Sequence, residues 1–305
     1  MSWWEVHDVT TWATTYDEPR GKRAKVWVAS PDGRAWLRKL PLDKPPRPYE
    51  PAVEALTLEI AHRCGFEVAR GRAAQWKDDA GIAMRGFVSP RFHDGASEEQ
   101  LTGGILVEGA LGMSRATSSE EQAKRPLVTL QLVRSVLDEQ QQRYGVDLLG
   151  PFLAMLLFDA WIGNGDRHAD NWALLRRGPP ASAPACRLAP MYDTASCLGV
   201  ELLDAQVEEH LESRQRRDRY IGRCRSGFGD GAHNPTILQT ALLTELRSWP
   251  EWDGVASITI PRLCASVSTA MSIVHEVPDE WLPARRRELA CALLEARATL
   301  LEGVT

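Results

Sequence analysis

The chain has 305 residues, with 44% apolar and 25% charged residues and a formal net charge of −5. Such a chain can bury a core as one large domain or as two lobes sharing a cleft, and neither wholesale disorder nor non-specific DNA binding as its main task suits it. Six cysteines without a Cys-x-x-Cys pair, an opening segment that is neither basic nor followed by an apolar run, and no stretch long and apolar enough to span a bilayer predict free thiols in a reducing cytoplasm, no signal peptide and no membrane partner.

The first predicted element is a β-hairpin. Residues 24–29 and 35–40 are β-rich and flank Ser30-Pro31-Asp32-Gly33, and an Asp-Gly pair between such runs signals a turn. Residues 18–23 form a basic loop ahead of it, in which Gly21 and Lys22, with Lys25, are candidates for a cover over phosphates through backbone N–H groups. The proline-rich stretch 41–51 reads as an extended connection. Residues 52–64 place Ala52, Leu56, Ile60 and Ala61 on one helical stripe, with Gly65 as the stop. Strands are predicted around 67–75 and 82–88. Residues 1–90 are thus read as a small lobe of hairpin, helix and two strands, and 91–126, rich in Ser, Gly, Glu and Thr, as a linker or insertion.

From 127 to 305 the pattern is mainly helical, with helices predicted at 127–143 and 148–161, several amphipathic helices after 235, and a last one at 285–301. Between them lie two short strands, 172–175 and 186–188, separated by a Gly/Pro/Ser/Ala loop. The chain has no internal repeats.

The chemistry concentrates between the second helix and the strands. Residues 163–171 read Gly163-Asn164-Gly165-Asp166-Arg167-His168-Ala169-Asp170-Asn171, and Met191-Tyr192-Asp193 follows the second strand. Asp166 and Asn171 have the Asp-x-x-x-x-Asn spacing of a kinase catalytic loop. Phosphoryl transfer needs a carboxylate to accept or orient the acceptor's hydroxyl proton, which suits Asp166. It also needs a few hard oxygen ligands for Mg²⁺, which suits Asn171 and Asp193. Each also has a plain reading: Gly-Asn-Gly-Asp is good turn chemistry, Asn171 could cap the strand, and Asp193 could be the N-cap of a following helix. Asp166, His168 and Asp170 also form an Asp-x-His-x-Asp cluster that could suggest a transition-metal site, although no second His cluster accompanies it. His168 is otherwise read as orienting the loop by hydrogen bonds, and Arg167 as neutralising charge in the cleft or pairing with a carboxylate. Lys39, at the end of the hairpin's second strand, can reach nucleotide phosphates. Glu54 and Glu59 on the next helix could each pair with it, and Glu54 is preferred. Six arginines between 214 and 225 read either as a solvated helix face balanced by Glu208, Glu209 and Glu212, or as a groove for an acidic or phosphate-bearing partner.

On the loop 163–171, the segment Leu188-Ala189-Pro190-Met191-Tyr192-Asp193 and the hairpin ending in Leu37-Arg38-Lys39-Leu40-Pro41, the chain resembles the HipA-like Ser/Thr kinase family. The resemblance covers about 20–300, with its specific part at 158–197. It implies an α+β, two-lobed protein-kinase-like fold, with a small β-rich N-lobe and a larger, mostly helical C-lobe. It implies ATP and Mg²⁺ as cofactors, Asp166 as base, Asn171 and Asp193 on the metal and Lys39 on ATP. The acceptors it implies are protein Ser/Thr hydroxyls, including those of translation-related enzymes. Longer members carry an N-terminal extension used partly in antitoxin contact. Here the hairpin begins near residue 24, so neither an antitoxin partner nor toxin status is expected. Thr14 and Thr15 give no clear equivalent of the loop Ser that longer members autophosphorylate. A small-molecule or lipid hydroxyl kinase on the same fold, and a non-catalytic nucleotide-binding module, are the other readings.

Overall fold

The computed structural model describes residues 2–17, 25–41, 47–113, 128–178, 185–232 and 234–304. Six strands form the first sheet: β1 (Val6–Asp8), β2 (Ala13–Asp17), β3 (Lys25–Ala29), β4 (Ala35–Lys39), β5 (Arg72–Lys77) and β6 (Ala83–Pro90). Their order is β1-β5-β6-β4-β3-β2. Only β1 and β5 pair in parallel; the remaining pairs are antiparallel. The predicted hairpin is β3–β4, in register from Lys25 opposite Lys39 to Ala29 opposite Ala35. Asp32 shapes its turn by accepting from the Ser30 hydroxyl at 2.5 Å. Because directly opposed residues share a face, Lys39, Phe87 and Ala73 lie on one side of the sheet.

Helix α1 (Glu50–Arg63) packs on that side, against β5 and β6. Every residue from Glu50 to Ala61 is buried, because the far side of the helix meets the helical lobe. Its C-terminus ends where Gly65 turns to φ +80°. A full wheel of buried side chains therefore replaces the single stripe expected of a surface helix.

Residues 98–110, inside the predicted linker, form β7 (Glu98–Thr102) and α2 (Gly103–Ala110). Strand β7 pairs with β8 (Ala173–Arg177), which pairs with β9 (Cys186–Leu188), giving a three-stranded antiparallel sheet. Sequence pattern misses β7 because Glu-Glu-Gln-Leu-Thr is a poor strand former. It is held by its partner: Glu98 meets Arg177 at 2.9 Å, and Glu99 meets Arg176.

The helical lobe contains α3 (Leu130–Tyr144), α4 (Leu149–Ile162), α5 (Asp204–Glu212), α6 (Arg214–Gly222), α7 (Gln239–Leu246), α8 (Trp252–Ala265), α9 (Val267–His275) and α10 (Ala284–Glu302). Helix α3 starts at Thr129, whose side chain accepts from Leu132 N at 3.1 Å, and stops at the left-handed Gly145. The core runs through α4, with Phe152, Leu153, Leu156, Leu157, Phe158 and Trp161 buried against α8 and α10. Among the described residues no single helix is long and apolar enough to cross a membrane. The architecture is the α+β, two-lobed kinase-like one, with the β-rich lobe joined to the helical lobe through α1 and the segment entering β5.

Candidate active site

The site begins with a charge in an apolar helix. Every residue of α4 from Phe152 to Ile162 is apolar except Asp159, which is 3% exposed. A buried carboxylate needs a partner, and Asp159 has a two-pronged one. Arg167 Nε donates to Asp159 Oδ2 at 2.7 Å and Nη2 to Oδ1 at 3.0 Å. The Asn164 amide adds a third bond to Oδ1 at 2.8 Å. Arg167 is itself 1% exposed. Burial alone would lower its pKa, but the adjacent Asp159 carboxylate outweighs that and holds it above its ordinary value.

The remaining nitrogen of Arg167 ties the site together. Nη1 donates to the Asn171 carbonyl at 2.5 Å and to the Tyr192 carbonyl at 2.7 Å. One guanidinium thus joins the helix that enters the loop, the residue that ends it and the residue before Asp193. Planar, forked donors make Arg suited to this and Lys not. Sequence reasoning offered Arg167 as a cleft cation or a carboxylate partner; it is the partner of Asp159, turned into the core.

A second set of bonds anchors the start of the loop. Asn164 Oδ1 accepts from Asp166 N at 3.1 Å, and Gln239 Nε2 donates to the Asn164 carbonyl at 2.9 Å. Gln239 Oε1 in turn accepts from Arg297 Nη1 at 2.8 Å, which also donates to Ala160 O at 3.0 Å. Gly163 ends α4 at φ +73°, and a Cβ there would lie 2.6 Å from the Arg297 guanidinium. Both facts require glycine. Asp159, Gln239 and Arg297 were not singled out from sequence. The lone acid in an apolar helix was the one available signal.

Held this way, Asp166 projects outward with its side chain 53% exposed. Among the described residues its carboxylate accepts no hydrogen bond; His168 Nε2 lies 3.9 Å from Oδ1. His168 Nδ1 accepts from Asp170 N at 3.2 Å and caps the short 3₁₀ turn Ala169–Asn171. An accepting Nδ1 leaves the neutral ring's proton on Nε2, the side facing Asp166. His168 therefore shapes the loop, as its hydrogen-bonding reading expected.

Asn171 donates Nδ2 to the Asp166 carbonyl at 2.7 Å. A carbonyl can only accept, so the amide orientation is forced and Oδ1 is the atom left as a ligand. Asp193 takes a left-handed conformation, φ +56°, uncommon for a non-glycine residue and typical of functional positions. No helix follows it, contrary to its N-cap reading. Thr194 is instead buried, its hydroxyl 2.7 Å from that of Thr57 on α1. Tyr192 stacks on Phe92 with ring centroids 5.6 Å apart and donates to the Asp170 carbonyl at 3.1 Å. Burial raises its pKa, so it stays a neutral donor.

The β-rich lobe contributes Lys39. Its Nζ lies 2.7 Å from Glu54 Oε1 and 3.2 Å from Asp193 Oδ1, linking strand β4, helix α1 and the segment after β9. Glu59, the other candidate partner, pairs with Arg63 at 2.8 Å. Two backbone bonds join the lobes beside this pair: Met191 N to Glu67 O at 2.8 Å, and Ala69 N to Met191 O at 2.9 Å. Gly21 and Lys22 lie outside the described residues.

Asn171 Oδ1 and the Asp193 carboxylate are hard oxygen donors, and one Arg167 nitrogen holds the Asn171 carbonyl together with the carbonyl of Tyr192, the residue before Asp193. That donor set fits Mg²⁺, which takes few protein ligands and fills the rest of its shell with water and phosphate. Among the described residues no group of three His, Cys, Asp or Glu side chains forms a metal cage. Asp170, the third member of the Asp-x-His-x-Asp cluster, points instead to Thr102, whose hydroxyl is 3.4 Å from Oδ1. Within the arginine-rich stretch, Arg216 pairs with Glu209, Arg214 lies 3.7 Å from Asp218, and Arg217 donates to the His210 carbonyl at 3.0 Å. This part follows the solvated-helix reading.

Two solved structures share this arrangement of elements. The Helicobacter pylori proinflammatory kinase CtkA aligns with a TM-score of 0.73 at 17% identity, over 97% of this chain and 96% of that one. HipA of Shewanella oneidensis MR-1, solved with HipB and operator DNA as a toxin–antitoxin system, aligns with a TM-score of 0.55 at 13% identity, over 96% of this chain and 68% of that one. At such identities the likeness establishes the kinase-like fold. Comparison with curated proteins gave no significant match. The sequence profile of the HipA-like C-terminal domain matches residues 18–247, a stretch holding Lys39, Glu54, the 163–171 loop and Asp193, and the chain therefore belongs to that family.

Proposed function

We propose that this protein is a Mg²⁺-dependent kinase that transfers the γ-phosphoryl group of ATP to the hydroxyl of a protein Ser or Thr. The observation that carries the reading is Lys39, held between Glu54 and Asp193 beside a loop whose ends one buried arginine clamps. A fold shared with a structure described as a kinase supports it.

In this mechanism Asp166, exposed and without a hydrogen-bonded partner among the described residues, orients the acceptor hydroxyl and takes its proton. The acceptor oxygen forms a bond to the γ-phosphorus as the bond from that phosphorus to the β,γ-bridging oxygen breaks. ADP leaves with the electron pair, and Asp166 passes the proton to solvent. Lys39 supplies positive charge to the nucleotide phosphates. Asn171 and Asp193 would hold the metal, which when bound neutralises phosphate charge. Arg167 keeps both ligands and the base in one frame, and preorganisation of this kind avoids reorganisation during reaction.

The test is purified protein with Mg-ATP, wild type beside Asp166→Ala, read by intact mass, ADP release and nucleotide titration. Phosphate gain or ADP release in the wild type alone, with equal ATP binding in both, is expected. Equal turnover by Asp166→Ala would remove the base assignment, and failure of the wild type to bind ATP would remove the kinase reading altogether.

A further inference from the structure

Residues 223–227 leave helix α6 and run directly along the loop that carries Asp166. Cys224 Sγ lies 3.5 Å from the Gly163 carbonyl. A Cβ on Gly165 would sit 3.3 Å from the Arg225 carbonyl, and one on Gly227 would sit 2.5 Å from both Arg167 C and His168 N. The segment is fixed from its other side by the chain entering α7: Gln239 N donates to Cys224 O at 2.9 Å, Ser226 N to Ile237 O at 2.8 Å, and Arg225 bridges Leu238.

Arg223 closes helix α6 in the helical conformation, and Arg225 follows as a single bridge residue. Cys224 and Ser226 turn inward, whereas Arg223 and Arg225 are exposed. Arg225 is steadied through one nitrogen, which donates to Thr236 O at 2.7 Å and Oγ1 at 3.2 Å. Arg223 makes no side-chain hydrogen bond or ion pair among the described residues. Residues 219–225 contain three arginines and no acid, in a chain whose net charge is −5. These arginines are borne by the last turn of α6 and by the segment whose backbone packs on the loop that carries Asp166.

We propose that the 223–227 segment is the acceptor platform, and that Arg223 and Arg225 select a polypeptide whose phosphorylatable Ser or Thr is flanked by Asp or Glu. The inference rests on the kinase reading above and names its substrate class. Charge complementarity points to an acidic peptide. A nucleic-acid backbone fits less well, because Arg214 and Arg216 upstream are already paired with Asp218 and Glu209. That leaves no continuous row of free guanidiniums to track phosphates.

The experiment uses the full chain with Mg-ATP and a positional-scanning library of peptides with a central Ser or Thr. Arg223→Glu, the Arg223→Glu/Arg225→Glu pair and Arg223→Lys are compared with Arg214→Glu. Arg214 is an exposed arginine at the far end of the nine-residue α6, about 12 Å away along the axis. Asp and Glu near the acceptor are expected to be preferred. Charge reversal should raise the KM for acidic peptides roughly tenfold or more at low salt, leave nucleotide affinity unchanged and shift preference toward Lys-containing peptides. Arg223→Lys should restore most of the wild-type KM, and Arg214→Glu should change little. Phosphorylation without acidic preference, or an equal effect from Arg214→Glu, overturns the platform while leaving the kinase reading intact. Stronger competition by a single-stranded RNA oligonucleotide than by acidic peptide assigns the patch to nucleic acid and overturns the proposal. No phosphate on any peptide, with ATP bound and no ADP released, removes both.

Discussion

Replacing Arg167 by methionine tests the frame on which the site is built. The substitution leaves the Asp159 carboxylate buried with Asn164 as its remaining side-chain donor, and takes the shared donor from the Asn171 and Tyr192 carbonyls. Solvent cannot compensate readily, because the two residues are 1% and 3% exposed. Removing one partner of a buried ion pair costs about 3–5 kcal/mol. An orphaned buried carbonyl adds about 1–3 kcal/mol where it stays dry. These terms overlap, so the expected loss lies near the upper end of the first range, about 5 kcal/mol. Replacing both charges, with Asp159→Leu added to Arg167→Met, removes the uncompensated carboxylate and should recover about 2 kcal/mol. Urea unfolding of the wild type, the single and the double variant measures this directly. ADP release should be lost in both variants, because neither holds Asn171 and Tyr192 together. A single variant within about 1 kcal/mol of wild type, below the range for any broken buried pair, would refute the clamp. A double variant with wild-type turnover would refute its positioning role.

Two further outcomes are expected. Lys39→Met should weaken nucleotide binding and lower turnover by about 100-fold or more; a nucleotide titration unchanged from wild type would show that Lys39 does not meet the phosphates. Gly227→Ala places a methyl 2.5 Å from loop backbone atoms that cannot rotate away, so a loss of roughly 1–3 kcal/mol and slower phosphoryl transfer should follow. A wild-type melting temperature together with a wild-type rate would show that the contact is slack.

Local signals carried much of this fold. The β3–β4 hairpin follows from its Asp-Gly turn, α1 from its apolar stripe closed by Gly65, and α4 from its helical run ahead of the loop. The pair of strands after the loop, β8 and β9, was also readable. Strands β1 and β7 were not, because they pair with strands distant in the chain, and β2 was missed although its partner β3 comes next in the chain. Strand β7 pairs with β8, more than 70 residues away in sequence. At the site, Asp166, Asn171 and Asp193 stand out by spacing, and Lys39 with Glu54 by order. The residues that set their geometry do not. Gln239 and Arg297 are polar residues in ordinary helices until folding brings them to Asn164 and Ala160. Asp159 announces only that some cation must reach it.

The brace from Arg297 bears on how the protein matures. Arg297 lies 137 positions after Ala160, whose carbonyl it holds, and it also fixes Gln239 and packs on Gly163. The ribosome delivers the 163–171 loop early, but the last contacts that shape it arrive only with α10. Order of synthesis and order of assembly are therefore opposed. A nascent chain can build the β-rich lobe and present Asp166 well before the loop acquires its working form. On the proposed function, competence for turnover waits for contacts supplied by helix α10.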